Sequence, residues 1–76
     1  MTLTQQEAIA EIIRERHRQD EKWDVVDLHG SPKLLAILVE EVGEVAKAIC
    51  EKDTSSLRDE LIQVAAVRVK WLERGL

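Results

Sequence analysis

Between Leu34 and Ile49 apolar residues recur every three or four positions, the spacing of one helix face, and three glutamates stand inside the run. One stripe reads Leu34, Ile37, Glu41, Glu44, Ala48; a second, Leu35, Leu38, Val42, Val45, Ile49, is the expected main seam, with the three-four alternation for packing on a partner helix. The pattern demands a helix with two apolar faces, and it sets Glu41 and Glu44 in successive slots of one of them. Carboxylates are rarely placed on such a face without a partner. Two like charges there repel and lose hydration, and each tends to keep its proton. A divalent cation relieves both problems. Glu41 and Glu44 therefore read as half of a metal site, with Glu60, in Leu57-Arg58-Asp59-Glu60-Leu61-Ile62, as the other half.

The remainder of the chain reads as helix too. No segment alternates with period two, glycine and proline number three and one, and phenylalanine and tyrosine are absent. The expected fold is all-α: one domain over residues 1–76, with helices at about 4–20, 32–52 and 56–73. Thr4-Gln5-Gln6-Glu7 is a capping box opening the first helix, whose buried stripe is Ala8, Ile9, Ile12 and Ile13. The charged run from Arg14 to Lys22 reads as a solvated helix end. Trp23 to Gly30 is turn-rich and reads as a loop, closed by Ser31 as N-cap and Pro32 at the first helical position. Gly43 costs about 1 kcal/mol in a helix interior, which points to close approach by another helix. Ser56 is the expected N-cap of the third helix, and Gly75 suits its C-cap. The stretch Leu61 to Val69 is apolar almost all round, more than two neighbours can cover, so the three-helix chain is expected to complete its bundle by oligomerisation, as a homodimer or homotetramer.

Composition excludes several classes. A chain of 76 residues buries a modest core, about 60% of its unfolded surface. Cys50 stands alone, which fits a reducing, cytoplasmic setting and a small core residue better than a disulfide scaffold or an activated nucleophile. No apolar run approaches the ~20 residues of a membrane span, and the first residues lack a signal-peptide core, so no membrane is expected as a partner. A net charge of −4 argues against a nucleic-acid polymer.

A short turn at Asp53-Thr54-Ser55-Ser56 makes the second and third helices antiparallel neighbours. Fifteen residues separate Glu44 from Glu60, centred on that turn, so both lie at similar depth. Glu60 and Gln63 are three apart and can both face Glu41 and Glu44. Hard oxygen donors with water in the vacant positions suit Mg²⁺ or Mn²⁺. Zinc is disfavoured, because no His or Cys falls at a suitable spacing.

Glu40-Glu41-Val42-Gly43-Glu44 resembles the EExxE motif of the MazG-like nucleotide pyrophosphohydrolases, in the all-α NTP pyrophosphatase superfamily. Glu60-Leu61-Ile62-Gln63 stands where that family has ExxD, and the text from Leu38 to Ala48 and the run Gln19-Asp20-Glu21-Lys22-Trp23 are similar as well. The resemblance covers nearly the whole chain. It implies hydrolysis of a nucleoside triphosphate to the monophosphate and pyrophosphate with Mg²⁺, in a nucleotide house-cleaning role. By position it makes Glu41, Glu44 and Glu60 metal ligands and Glu40 the first acid of the catalytic motif. Glu40 points about 100° away from Glu41 around the helix. Gln63 departs from the family aspartate. An amide oxygen can ligate Mg²⁺ without bringing charge, which leaves three readings: a one-metal site, recruitment of Asp59 or Glu40, or weakened catalysis.

Substrate contacts are expected from Lys47, one turn after Glu44, and from Trp23 and His29 in the loop. Each has a plainer reading, as a solvated lysine or an exposed loop residue. Trp71 is spaced with Val64 and Val67 for core packing rather than base stacking. Two rival functions carry different signatures. A non-catalytic helical oligomerisation module would use the acids for capping and ion pairs. A regulator holding a Mg²⁺-nucleotide would bind metal without releasing pyrophosphate.

Overall fold

The computed structural model describes residues 2–23 and 31–74, with the backbone alone at Trp23 and Arg74. These residues form three helices and no strand: α1 (Gln5–Trp23), α2 (Ser31–Cys50) and α3 (Thr54–Arg74). The expected loop, over residues 24–30, and the expected cap at Gly75 lie outside the described residues. No described helix is long and apolar enough to cross a membrane.

The capping box closes as its sequence dictates. The Thr4 amide donates to Glu7 Oε1 at 2.9 Å, and the Glu7 amide donates to Thr4 Oγ1 at 3.1 Å. These bonds from Thr4 hold the Glu7 carboxyl below its ordinary range. The run after Arg14, expected to be solvated, instead turns one side inward and stays helical to Trp23. Gln19 is buried at 3% exposure, and the Arg16 side chain is 11% exposed. The reason is pairing across the interface with α3. Arg16 Nε and Nη2 donate to the two Glu73 oxygens at 2.8 Å each, Arg16 also bonds Asp20, and Lys70 Nζ donates to Asp20 Oδ1 at 3.2 Å. A fork that matches a carboxylate lets these long stems line an interface while their charges stay satisfied.

The α2–α3 connection is tighter than expected. The Lys52 amide bonds the Ile49 carbonyl and the Asp53 amide bonds the Ala48 carbonyl, with Lys52 in the left-handed region at φ 55°. This is a Schellman motif with lysine where glycine is usual. Asp53 then caps α3 by accepting from the Ser56 amide at 3.0 Å and from the Ser56 hydroxyl at 2.7 Å. The N-cap is therefore Asp53, not Ser56. A carboxylate at the positive helix end wins over a hydroxyl further along, and those bonds hold Asp53 below its ordinary range.

α3 is the central helix. α1 and α2 both pack on it and, among the described residues, make no close backbone contact with each other. Ala66 and Val67 are fully buried in α3, and Trp71 Nε1 donates to Ser31 Oγ at 3.0 Å, tying its end to the start of α2. α2 turns the stripe Leu34, Ile37, Glu41 and Ala48 inward, with Leu34 and Ala48 buried. The second seam is not the intrachain one: Leu35, Val42 and Ile49 are half exposed, as is Val39 beside them. A Cβ on Gly43 would meet nothing within 4 Å, so the close approach expected there is not made within this chain. Cys50, expected in the core, is exposed beyond Ala48.

A carboxylate pair between α2 and α3 as candidate active site

The antiparallel hairpin brings Glu41 of α2 face to face with Glu60 of α3, their carboxyl groups within hydrogen-bonding range. Burial first, then the hydrogen bond and charge of Glu60, then the charge of Glu40, push the Glu41 carboxyl up to about 7; Lys22 of α1 acts in the opposite sense. Both groups stay enclosed. Glu41 Oε2 and Glu60 Oε2 are buried and accept no hydrogen bond from the protein. A buried acceptor without a donor costs about 1–3 kcal/mol, a cost that a proton between the two carboxyls or a bound cation would relieve. Enclosed anionic oxygens of this kind fit a hard divalent cation.

The other candidate residues fall around this pair. Glu44, one turn after Glu41, is exposed and lines a cavity of about 130 Å³ with Lys47, Ala48, Glu51, Ser56 and Glu60. Glu60 thus joins the two halves, touching Glu41 on one side and sharing a cavity with Glu44 and Lys47 on the other. Among the described residues no three Asp, Glu, His or Cys side chains converge closely enough to enclose a cation by themselves. Glu40 is exposed and acts on Glu41 through its charge alone. Gln63 lines a different cavity, of about 280 Å³, whose walls include Arg14, Arg18 and Asp59. Its carbonyl accepts from Gln19 Nε2 at 3.4 Å. The Trp23 side chain and His29 lie outside the described residues. Trp71 is half-buried beside Leu38, Arg68 and Leu72, away from the glutamates.

Gln19 is the residue that the sequence reading passed over. It lay inside a charged run, yet it continues the three-four stripe Ala8, Ile12, Arg16, Gln19, each of which is at least half-buried. That periodicity was the available signal.

The site is an all-α hairpin with paired acids between its two helices and Lys47 one turn from Glu44. The chain matches the MazG nucleotide pyrophosphohydrolase domain over residues 30–67, half of its length, and it belongs to that family. No curated protein and no solved structure matches it. The matched span holds Glu40, Glu41, Glu44, Lys47, Glu60 and Gln63, and leaves out α1.

Proposed function

We propose that this chain is a Mg²⁺-dependent pyrophosphohydrolase, with Mn²⁺ as an alternative ion, that converts a nucleoside triphosphate or its deoxy form to the monophosphate and pyrophosphate. The observation that carries the reading is the enclosed pair Glu41–Glu60 with its two unpartnered oxygens, inside a span that belongs to a nucleotide pyrophosphohydrolase family. Glu41, Glu44 and Glu60 would hold the ion, with Gln63 as the neutral fourth member. When bound, the ion would polarise the phosphates and sharpen water as a nucleophile. The chain's own groups do the rest. Glu41 would meet the ion from α2 and Glu60 from α3, the two carboxylates supplying charge from opposite sides. Lys47 stands beside Glu44 and Glu60 to meet phosphate oxygens. Glu40, outside the cleft, adjusts Glu41 through space. Trp23 and His29 remain the proposed base-side contacts.

The same reading treats residues 1–76 as one cytoplasmic domain that assembles as a homodimer or homotetramer, without membrane or nucleic-acid polymer as partner. Its support is the run Leu35, Val39, Val42 and Ile49 along α2, a helical seam left more than half exposed among the described residues. Light scattering at micromolar concentration should give at least a dimer mass; a monomer mass refutes the assembly. For the activity, a panel of NTPs and dNTPs is incubated with Mg²⁺, and pyrophosphate and monophosphate are quantified. Equimolar release of both supports the reading. Orthophosphate release, or no turnover with any member of the panel, refutes it.

A further inference from the structure

Three buried side-chain atoms among the described residues lack a hydrogen-bond partner, and each helix supplies one: Gln19 Oε1 from α1, Glu41 Oε2 from α2, Glu60 Oε2 from α3. All three are acceptors. The pair of carboxylates belongs to the site above. Gln19 does not, and it lies outside the matched family span.

Nothing in the packing asks for an amide at this position. Gln19 is 3% exposed, and its only hydrogen bond shown is the long one from Nε2 to the Gln63 carbonyl. Leucine would fill a similar volume without leaving a polar atom unmet. The Nε2 bond does fix which end of the amide is spent on α3, and it leaves Oε1 as the free acceptor. The location follows from the helices on either side. Around α3, Gln63 lies about 60° from Glu60 and about 20° from Lys70, which bonds Asp20 of α1. Gln63 therefore lies toward the α1-facing side of α3, where it lines a cavity with Arg14 and Arg18, and its backbone carbonyl meets Gln19 there. Arg18 and Lys22, the flanking turn of α1, are both within electrostatic reach of Glu41. Among the described residues α1 and α2 make no close backbone contact and both pack on α3, with Gln19 on the α1 side and Glu41 on the α2 side.

A set of acceptors with no donors is the complement of a ligand that only donates. A hydrated divalent cation is such a ligand: Mg²⁺ sheds its waters reluctantly, and those waters turn their hydrogens outward. Two carboxylates match its charge, and a third oxygen can then be neutral. We propose that Gln19 is a positioning residue of the metal centre, its Oε1 accepting from the water shell of the cation held by Glu41 and Glu60. The inference rests on the metal reading above and extends it to α1. Outer-shell partners of this kind orient the inner ligands and are worth about 10–100-fold in metal affinity.

The test is Mn²⁺ binding, followed by electron paramagnetic resonance of free Mn²⁺, with thermal melts of the metal-free proteins alongside. Gln19→Leu should weaken Mn²⁺ binding by roughly 10–100-fold, while its metal-free melting temperature holds or rises, because a buried orphan has gone. Gln19→Glu should bind Mn²⁺ more tightly, melt lower without metal, and recover on Mn²⁺ addition. A Gln19→Leu protein that binds Mn²⁺ as the wild type does overturns the inference and leaves the Glu41–Glu60 site standing. A wild type that binds no Mn²⁺ overturns both. Should Gln19→Leu not fold, Gln19→Glu decides: recovery with Mn²⁺ supports the role, and its absence overturns it.

Discussion

α3 presents two charged faces, and they are built on opposite terms. Toward α1, cations meet anions: Arg16 with Glu73 and Asp20, Lys70 with Asp20. Lys70 is buried to 4% exposure and is still satisfied. Toward α2, a carboxyl group meets a carboxyl group, Glu41 against Glu60, with a buried oxygen on each that accepts no hydrogen bond among the described residues. The first face is what folding alone would select. The second is a cost that the fold carries, and local disagreement with the packing rules is where function is expected.

The comparison breaks most sharply at the glutamates. Glu44→Gln and Glu60→Gln should each lower pyrophosphate release by roughly 100-fold or more, several kcal/mol of transition-state stabilisation, with little loss of fold. Retained turnover in either variant removes that acid from the chemistry. Arg16→Ala should do the reverse, leaving Glu73 and Asp20 short of a partner. Since those carboxylates are half exposed, the loss is about 1–3 kcal/mol of stability, read by urea unfolding, with the activity of the folded fraction unchanged.

The pH response separates the faces again. Glu41 is raised to about 7 from an ordinary value near 4.5, so the folded state holds its proton more tightly than the unfolded chain does. Its effect on the metal-free protein is therefore neutral below about pH 4.5, increasingly destabilising as pH rises toward 7, and level above that. Asp20 is lowered, chiefly by its bond from Arg16, so its stabilisation is present above its ordinary 3.8 and is lost as pH falls further. Metal-free melts should peak on the acid side of neutrality, and Glu41→Gln should flatten the descent between pH 5 and 7. An unchanged descent in that variant assigns it to another group. Smallest of all, Lys52→Gly should stabilise the hairpin by up to about 1 kcal/mol by relieving the left-handed backbone. A lower melting temperature would show that the lysine side chain contributes more than its strained backbone costs.

Much of this was legible in the residues. The three helices followed from three-four spacing, and the Thr4–Glu7 box from its four letters. The family followed from the acids around Val42-Gly43 and Glu60. What periodicity could not decide was which of two apolar stripes on α2 faces inward. By pattern Leu35-Leu38-Val42-Val45-Ile49 is the more apolar, yet the stripe that carries Glu41 and Glu44 is the one whose Leu34 and Ala48 are buried. The Arg14–Lys22 run misled for a related reason. Charge in sequence says nothing of a partner 50 residues away, and Lys70 and Glu73 are what draw it inward. Asp53 was hidden as the N-cap because it also serves as the last residue of the preceding Schellman motif.

The central claim is that the opposed carboxylates are tolerated for the sake of a cation, and thermal melts of the wild type and Glu41→Gln at pH 7.5, with and without millimolar Mg²⁺, test it most directly. The wild type should gain melting temperature with Mg²⁺. The variant, relieved of a like charge, should melt higher than the wild type without metal and gain nothing when Mg²⁺ is added. A wild type indifferent to Mg²⁺, together with a variant that melts lower, would contradict the account: the pair would then be structural, and the site would lie elsewhere.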